Sequence, residues 1–224
     1  MGVVTFSNLT SGTDATDGLT LTTASVSPTG NAAIFPCFHA RNSAADATPS
    51  DPSVVGNGIT YTLEDSILEG TRKKVFGFRG MAASPSSGTI VATFAANVRG
   101  EWSVDQATGV RTDGTNASGC VIQSVTAAGT NTSISITLAS FHYPQASATF
   151  LQVGHDAGEA TTQEGGWTEL ADPIRGVVSN LETSWLRGQD LSATASWATS
   201  AIYGGIAYEI EASWHPLSSS GVGP

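Results

Sequence analysis

Two glutamates, Glu209 and Glu211, stand two apart in the run Tyr208-Glu209-Ile210-Glu211-Ala212. Residues two apart on an extended chain share a face about 7 Å from each other. A carboxyl pair about 5–9 Å apart is what hydrolysis of a glycosidic bond requires. The opposite phase holds Ile206, Tyr208, Ile210 and Trp214. That alternation predicts a core face for those four and a water-facing, non-catalytic role for the two acids. Glu101 and Asp105, beside Trp102, read the same way. Cys37 and His39 also share a strand face, which is the minimum for a thiol and its base, but Phe35 and Phe38 around them predict burial. Neither a Gly-x-Ser-x-Gly elbow nor a phosphate-cradling glycine loop occurs.

Metal chemistry is equally sparse. His39, His142, His155 and His215 are scattered, and zinc spacings of Cys and His are missing. His155 and Asp156 with Glu159 are a set of hard and borderline donors, read here as a solvated acidic loop. Asp14 and Asp17 are oxygen donors without the spacing of a calcium loop. The residues therefore predict no cofactor. Trp167, leaving the loop Gly165-Gly166, is the candidate for stacking on a sugar or for a partner contact; as an indole in a β protein it is also a candidate for core packing.

The chain has 224 residues, 19 acids against nine bases, a net charge of −10 and only 12% charged residues. Duplex nucleic acid and anionic membranes both demand clustered Lys and Arg. Only two lysines are present, Lys73 and Lys74, so both partners are excluded as expectations. No apolar run is long enough for a spanning helix, and the opening Met1–Leu9 has no basic and then apolar pattern of an export signal. Cys37 and Cys120 lie in apolar runs, which predicts buried free thiols.

The elements that must position these residues are strands. Ile59, Tyr61 and Leu63 alternate with Thr60, Thr62 and Glu64; Trp102 and Val104 with Glu101, Ser103 and Asp105; Ile134, Ile136 and Leu138 with Ser133, Ser135 and Thr137. Such alternation places one face on a core and one in water. Strand centres are expected near Leu21, Ile34, Tyr61, Phe76, Val91, Trp102, Ile122, Ile136, Phe150, Leu170, Trp185, Trp197 and Tyr208, with one of these in error. The one helical window is Asp172–Arg187, where Leu181, Thr183 and Trp185 fit a strand equally. Many short strands punctuated by Gly, Asn and Ser predict an all-β, jelly-roll-like two-sheet β-sandwich with an N-terminal arm. The expected division is residues 1–18 as arm or first strand, 19–215 as a single sandwich domain, and 216–224 as a flexible tail. Two long loops, 41–58 and 154–166, are contact candidates through Asp46 and Asp51 in the first. No internal repeat is legible.

A longer pattern carries a resemblance. The segment Lys74-Val75-Phe76-Gly77-Phe78-Arg79-Gly80-Met81, continuing to Thr93-Phe94, reads as strand, small-residue turn and strand. Trp102-Ser103-Val104, Gly165-Gly166-Trp167-Thr168-Glu169-Leu170, Trp197 and Tyr203-Gly204-Gly205-Ile206 follow in order. This series resembles β-sandwich structural proteins of tailed bacteriophages, of the capsid decoration (cement) or tail accessory type. The resemblance implies a non-enzymatic virion component on the capsid exterior, assembled in the host cytoplasm. Its implied partners are the major capsid protein or another virion protein, and further copies of itself as a homo-oligomer. The alternative it leaves is a tail-fibre, receptor-binding sandwich that engages host glycan. No catalytic residue carries over. The expected apolar anchors of the arm are Val3, Val4, Phe6 and Leu9.

Overall fold

The computed structural model describes residues 2–44, 47–141 and 146–213, and none of them is helical. The strands are β1 (Thr5–Thr22), β2 (Ala33–Asn42), β3 (Ser53–Gly56), β4 (Ile59–Thr60), β5 (Thr62–Glu69), β6 (Lys73–Arg79), β7 (Ile90–Thr108), β8 (Val121–Thr137), β9 (Ala148–His155), β10 (Thr162–Gln163), β11 (Thr168–Ala171), β12 (Asn180–Arg187) and β13 (Ser192–Ile210). They form two antiparallel sheets in a sandwich-like, all-β arrangement. The first has the order β4-β3-β7-β2-β6-β5 with β1 also on β7, and the second β10-β13-β9-β12-β11 with β8 also on β13.

Several expected strands fuse. Val91 and Trp102 lie on one 19-residue strand, β7, and Trp197 and Tyr208 on another, β13. Ile122 and Ile136 share β8. Val98-Arg99-Gly100 and Tyr203-Gly204-Gly205 look like breaks in sequence, yet the chain runs through them extended because strands pair on both sides. Tyr61 falls between β4 and β5, and the helical window becomes a loop followed by β12. Residues 5–22 form β1, hydrogen-bonded along β7 from Thr5↔Thr108 to Thr22↔Val91. The tail 216–224 lies outside the described residues.

Long strands with several partners wrap each sheet over an apolar core of its own. Ile34, Phe38, Phe76, Phe78, Ile90, Phe94 and Val98 fill the first, all from the N-terminal half. Ile134, Ile136, Leu151, Val153, Trp197 and Ala207 fill the second, all from the C-terminal half. A third core joins the sheets through Phe6, Phe35, Phe150 and Tyr208, whose rings stack or tilt on one another at 4.8–6.3 Å. Alternation is therefore kept but serves two cores: Phe35 and Cys37 face the joining core, Ile34 and Phe38 the wrapped one.

The two halves are the same motif built twice. β1-β7-β2-β6-β5 with β3 on β7 repeats as β8-β13-β9-β12-β11 with β10 on β13. Register agrees as well as order. The β5–β6 ladder slips between Leu63↔Phe78 and Asp65↔Gly77, and the β11–β12 ladder slips between Glu169↔Ser184 and Ala171↔Thr183. Following the pairing outward from that shared bulge equates Cys37 with Gln152, Ser103 with Ile206, and Phe94 with Trp197. It also equates Val54, paired with Ala92, with Gln163, paired with Ala195. The absence of a legible repeat in the sequence is corrected here: the duplication is of wiring and register, with few identities retained.

Candidate functional site

The chemistry-bearing residues collect in the joining layer, on faces that alternation marks as wet. Glu101, Ser103 and Asp105 of β7 are fully buried, while Trp102 is only half-buried. The expectation that these acids face water is overturned because the second sheet covers them. At the centre, the His39 ring lies between two carboxylates. Its Nε2 is ion-paired to Glu69 of β5, and its Nδ1 lies 3.2 Å from Glu101. Lys73 Nζ stands 3.4 Å from the other Glu69 oxygen and donates to Val178 O at 3.0 Å. Arg175, from the β11–β12 loop, reaches across the sheets to Glu101 Oε1 at 2.8 Å and donates to Ser179 Oγ. Gly154 of β9 makes room for the ring: a Cβ there would meet Val75 at 2.8 Å and the His39 ring at 2.9 Å.

Electrostatics follow from the closure of this cluster. Burial alone would lower the His39 pKa, but Glu69 and Glu101 outweigh it and raise it to about 9. Burial opposes ionisation of Glu101, and the contacts from His39, Arg175 and Ser179 prevail, holding its carboxyl below the ordinary range. Asp105 is different. Burial raises it to about 6 although Asn8, Ser103 and Thr183 all offer hydrogen bonds. Burial also pushes the Cys37 thiol well above its usual value. Cys37 and Cys120 are buried, free thiols. Such a layer locks two sheets in register; its ionised groups are spent on one another. Over its end opens a cleft of about 340 Å³ whose walls include Arg41, Arg72, Lys73, Val177 and Ile202.

The other candidates separate. Glu209 and Glu211 are buried, contrary to the expected solvent face, because the wrapped sheet covers its second side as well. They take different partners: Gln123 Nε2 donates to Glu209 at 2.8 Å, and Arg111 Nη1 to Glu211 at 2.7 Å. His155 is buried at the end of β9, stacked on Trp197 at 4.5 Å, rather than in a solvated loop. Burial, then the nearby His39, lowers its pKa to about 4. Asp156 accepts from the Ile202 backbone and Glu159 from that of Thr199, so the three do not converge. Trp167 is half-buried against the second core, its indole N–H donating to Asp190 at 3.1 Å. Of the arm residues, Val4 and Phe6 belong to the joining core, Leu9 packs on the first core, and Val3 is exposed. Asp51 is ion-paired to Lys74 at 2.5 Å. Asp46, His142, Trp214 and His215 lie outside the described residues.

A second acidic group was not anticipated. Glu169, Asp172 and Glu182 bring carboxylate oxygens within 4.8 Å of one another. Burial raises Glu182 to about 10, and the Asp172 and Glu169 charges add to it, against the Gln163 hydrogen bond and the nearby Ser184 hydroxyl. The local sequence carries no signal for this group: Glu182 stands among Asn180, Thr183 and Ser184, polar residues whose burial only the structure shows. Comparisons with protein-family models, with curated proteins and with solved structures found no match for this chain.

Proposed function

We propose that this chain is a non-enzymatic structural protein that works by packing on other polypeptides, and specifically a capsid decoration (cement) protein of a tailed-phage virion with a jelly-roll-like sandwich fold. The observation that carries the packing role is the edge strand β8. It runs 17 residues without a charged side chain or a proline. Among the described residues its backbone ladder is formed on one side only, with β13; β5 lies against its first half, where Ser124 Oγ donates to Asp65 at 2.9 Å, and the open stretch is the second half around Thr130 and Thr132. Monomeric β proteins blunt such edges with charge, proline or brevity. An edge left neutral and long is a template for strand addition from a neighbour. The Thr, Ser and Ala that dominate it lose little side-chain entropy on burial. The buried ion pairs, closed on themselves, support a rigid brick rather than a reaction centre. The virion assignment rests on the resemblance of the segments around Phe76, Trp102, Trp167 and Tyr203.

The test has two arms. Thr130 and Thr132 are exposed on β8, and the double variant Thr130→Lys/Thr132→Lys places charge on that edge. Sedimentation of the wild-type chain at micromolar concentration is expected to show an oligomer, and the variant a monomer of unchanged melting temperature. A wild-type chain that stays monomeric and fails to bind particles stripped of it overturns the packing role. Quantitative gels of purified particles are expected to show hundreds of copies, and stripped particles to release DNA at lower temperature. A handful of copies, or identical release temperatures, overturns the cement assignment.

A further inference from the structure

We propose that Glu169, Asp172 and Glu182 form a binding site for one hard divalent cation, Ca²⁺, between β10, β11 and β12. Three observations converge. The first is geometric. One oxygen from each carboxylate lies within 4.8 Å of the other two. Oxygens on opposite sides of a Ca²⁺ ion are separated by about 4.8 Å, twice a typical 2.4 Å bond. Among the described residues none of the three acids is in a salt bridge.

The second is unmet bonding capacity. Ser184 is fully buried and faces the Glu182 carboxyl closely enough to favour its ionised form, yet its Oγ makes no hydrogen bond of acceptable geometry to it or to any other group among the described residues. It sits two residues from Glu182 on the same strand face and directly opposite Glu169 across the ladder, so its hydroxyl is aimed into the cluster. Glu182 is itself fully buried, and its Oε2 is also without a partner. The remaining oxygens are held in place. Gln163 Nε2 donates to Glu182 Oε1, and Asp172 accepts from Asn180 Nδ2 and from the Thr161 backbone.

The third comes from the duplication. In the N-terminal half the equivalents of Gln163, Glu169, Glu182 and Ser184 are Val54, Leu63, Phe76 and Phe78. Those four pack in the first core. An apolar plug in one half is thus a ring of oxygen donors in the other. Burying that ring without a counter-ion costs stability that the plug in the first half does not lose. All-oxygen donors, with no nitrogen or sulfur, select a hard cation over zinc or copper. Glu169 is exposed and marks the side from which an ion enters.

The experiment is calorimetric titration of chelator-treated, full-length protein with CaCl2, alongside melting curves in CaCl2 and in EDTA. The expected result is one Ca²⁺ per chain and a melting temperature that rises and saturates with Ca²⁺. Glu182→Gln should abolish both effects while melting in EDTA no lower than wild type. Glu169→Gln, a surface change, should weaken binding at least tenfold without altering the EDTA melt. The absence of both binding heat and a melting shift at 10 mM CaCl2 overturns the site, as does wild-type affinity in both variants. Because no arm depends on oligomerisation or on particles, failure here is distinguishable from failure of the packing role.

Discussion

Replacing His39 tests the joining layer directly. Its folded pKa of about 9, against 6.5 for a free imidazole, means that the folded state holds a proton the unfolded chain releases. For a base raised in this way, the stabilisation is complete below pH 6.5 and is lost as pH climbs through 9. At 1.36 kcal/mol for each pH unit of displacement, the loss is about 3 kcal/mol. Urea unfolding followed by tryptophan fluorescence at pH 6.0 and 9.5 measures it. Other groups titrate in the same window, notably Glu182, raised to about 10. The comparison is therefore between wild type and His39→Gln, which keeps the shape but not the charge. The variant is expected to lose about 3–5 kcal/mol at pH 6, since Glu69 and Glu101 remain buried without their shared partner. At pH 9.5 the gap to wild type should narrow by about 3 kcal/mol. A constant gap across that range would refute the charged-imidazole reading of the cluster.

Further outcomes follow from the same contacts. Asp105, raised to about 6 from 3.8, makes stability fall as pH rises between those values, because the folded state keeps the proton longer; Asp105→Asn should remove that fall in urea titrations. Phe6→Ala should cost about 3–5 kcal/mol in the same assay, because its ring packs on Phe35, Phe150 and Trp185; a cost near zero would mean that β1 is not part of the core. Gly154→Ala should lower the melting temperature by pressing on the His39 ring, and should do so less in a His39→Gln background. Cys37 and Cys120 should resist a thiol reagent in the native protein and react together on unfolding, each with the rate of global opening.

Much of the strand content was written in local pattern. Alternation at Ile134, Ile136 and Leu138, or at Leu191, Ala193, Ala195 and Trp197, is a property of neighbours along the chain, and strands form there. What alternation cannot state is which face is wet. At β7 the polar phase, Glu101, Ser103 and Asp105, is the fully buried one, because burial depends on a second sheet whose residues lie some distance away in sequence. Glu209 and Glu211 mislead for the same reason. Local signals also misjudge length: Gly100, Gly204 and Gly205 continue β7 and β13, since ladder hydrogen bonds on both flanks outweigh weak intrinsic preference.

The order of strand-forming segments, the all-β class, the two thiols in apolar runs and the sparse charge are thus properties of the sequence itself, because each is set by residues adjacent to one another. The pairing of His39 with Glu69 and Glu101, the meeting of Glu169 with Glu182, and the two-fold repetition of one strand motif belong to the tertiary structure alone. Each of those depends on register between segments far apart in the chain. Register leaves almost no mark on composition when Phe76 in one half can stand where Glu182 does in the other.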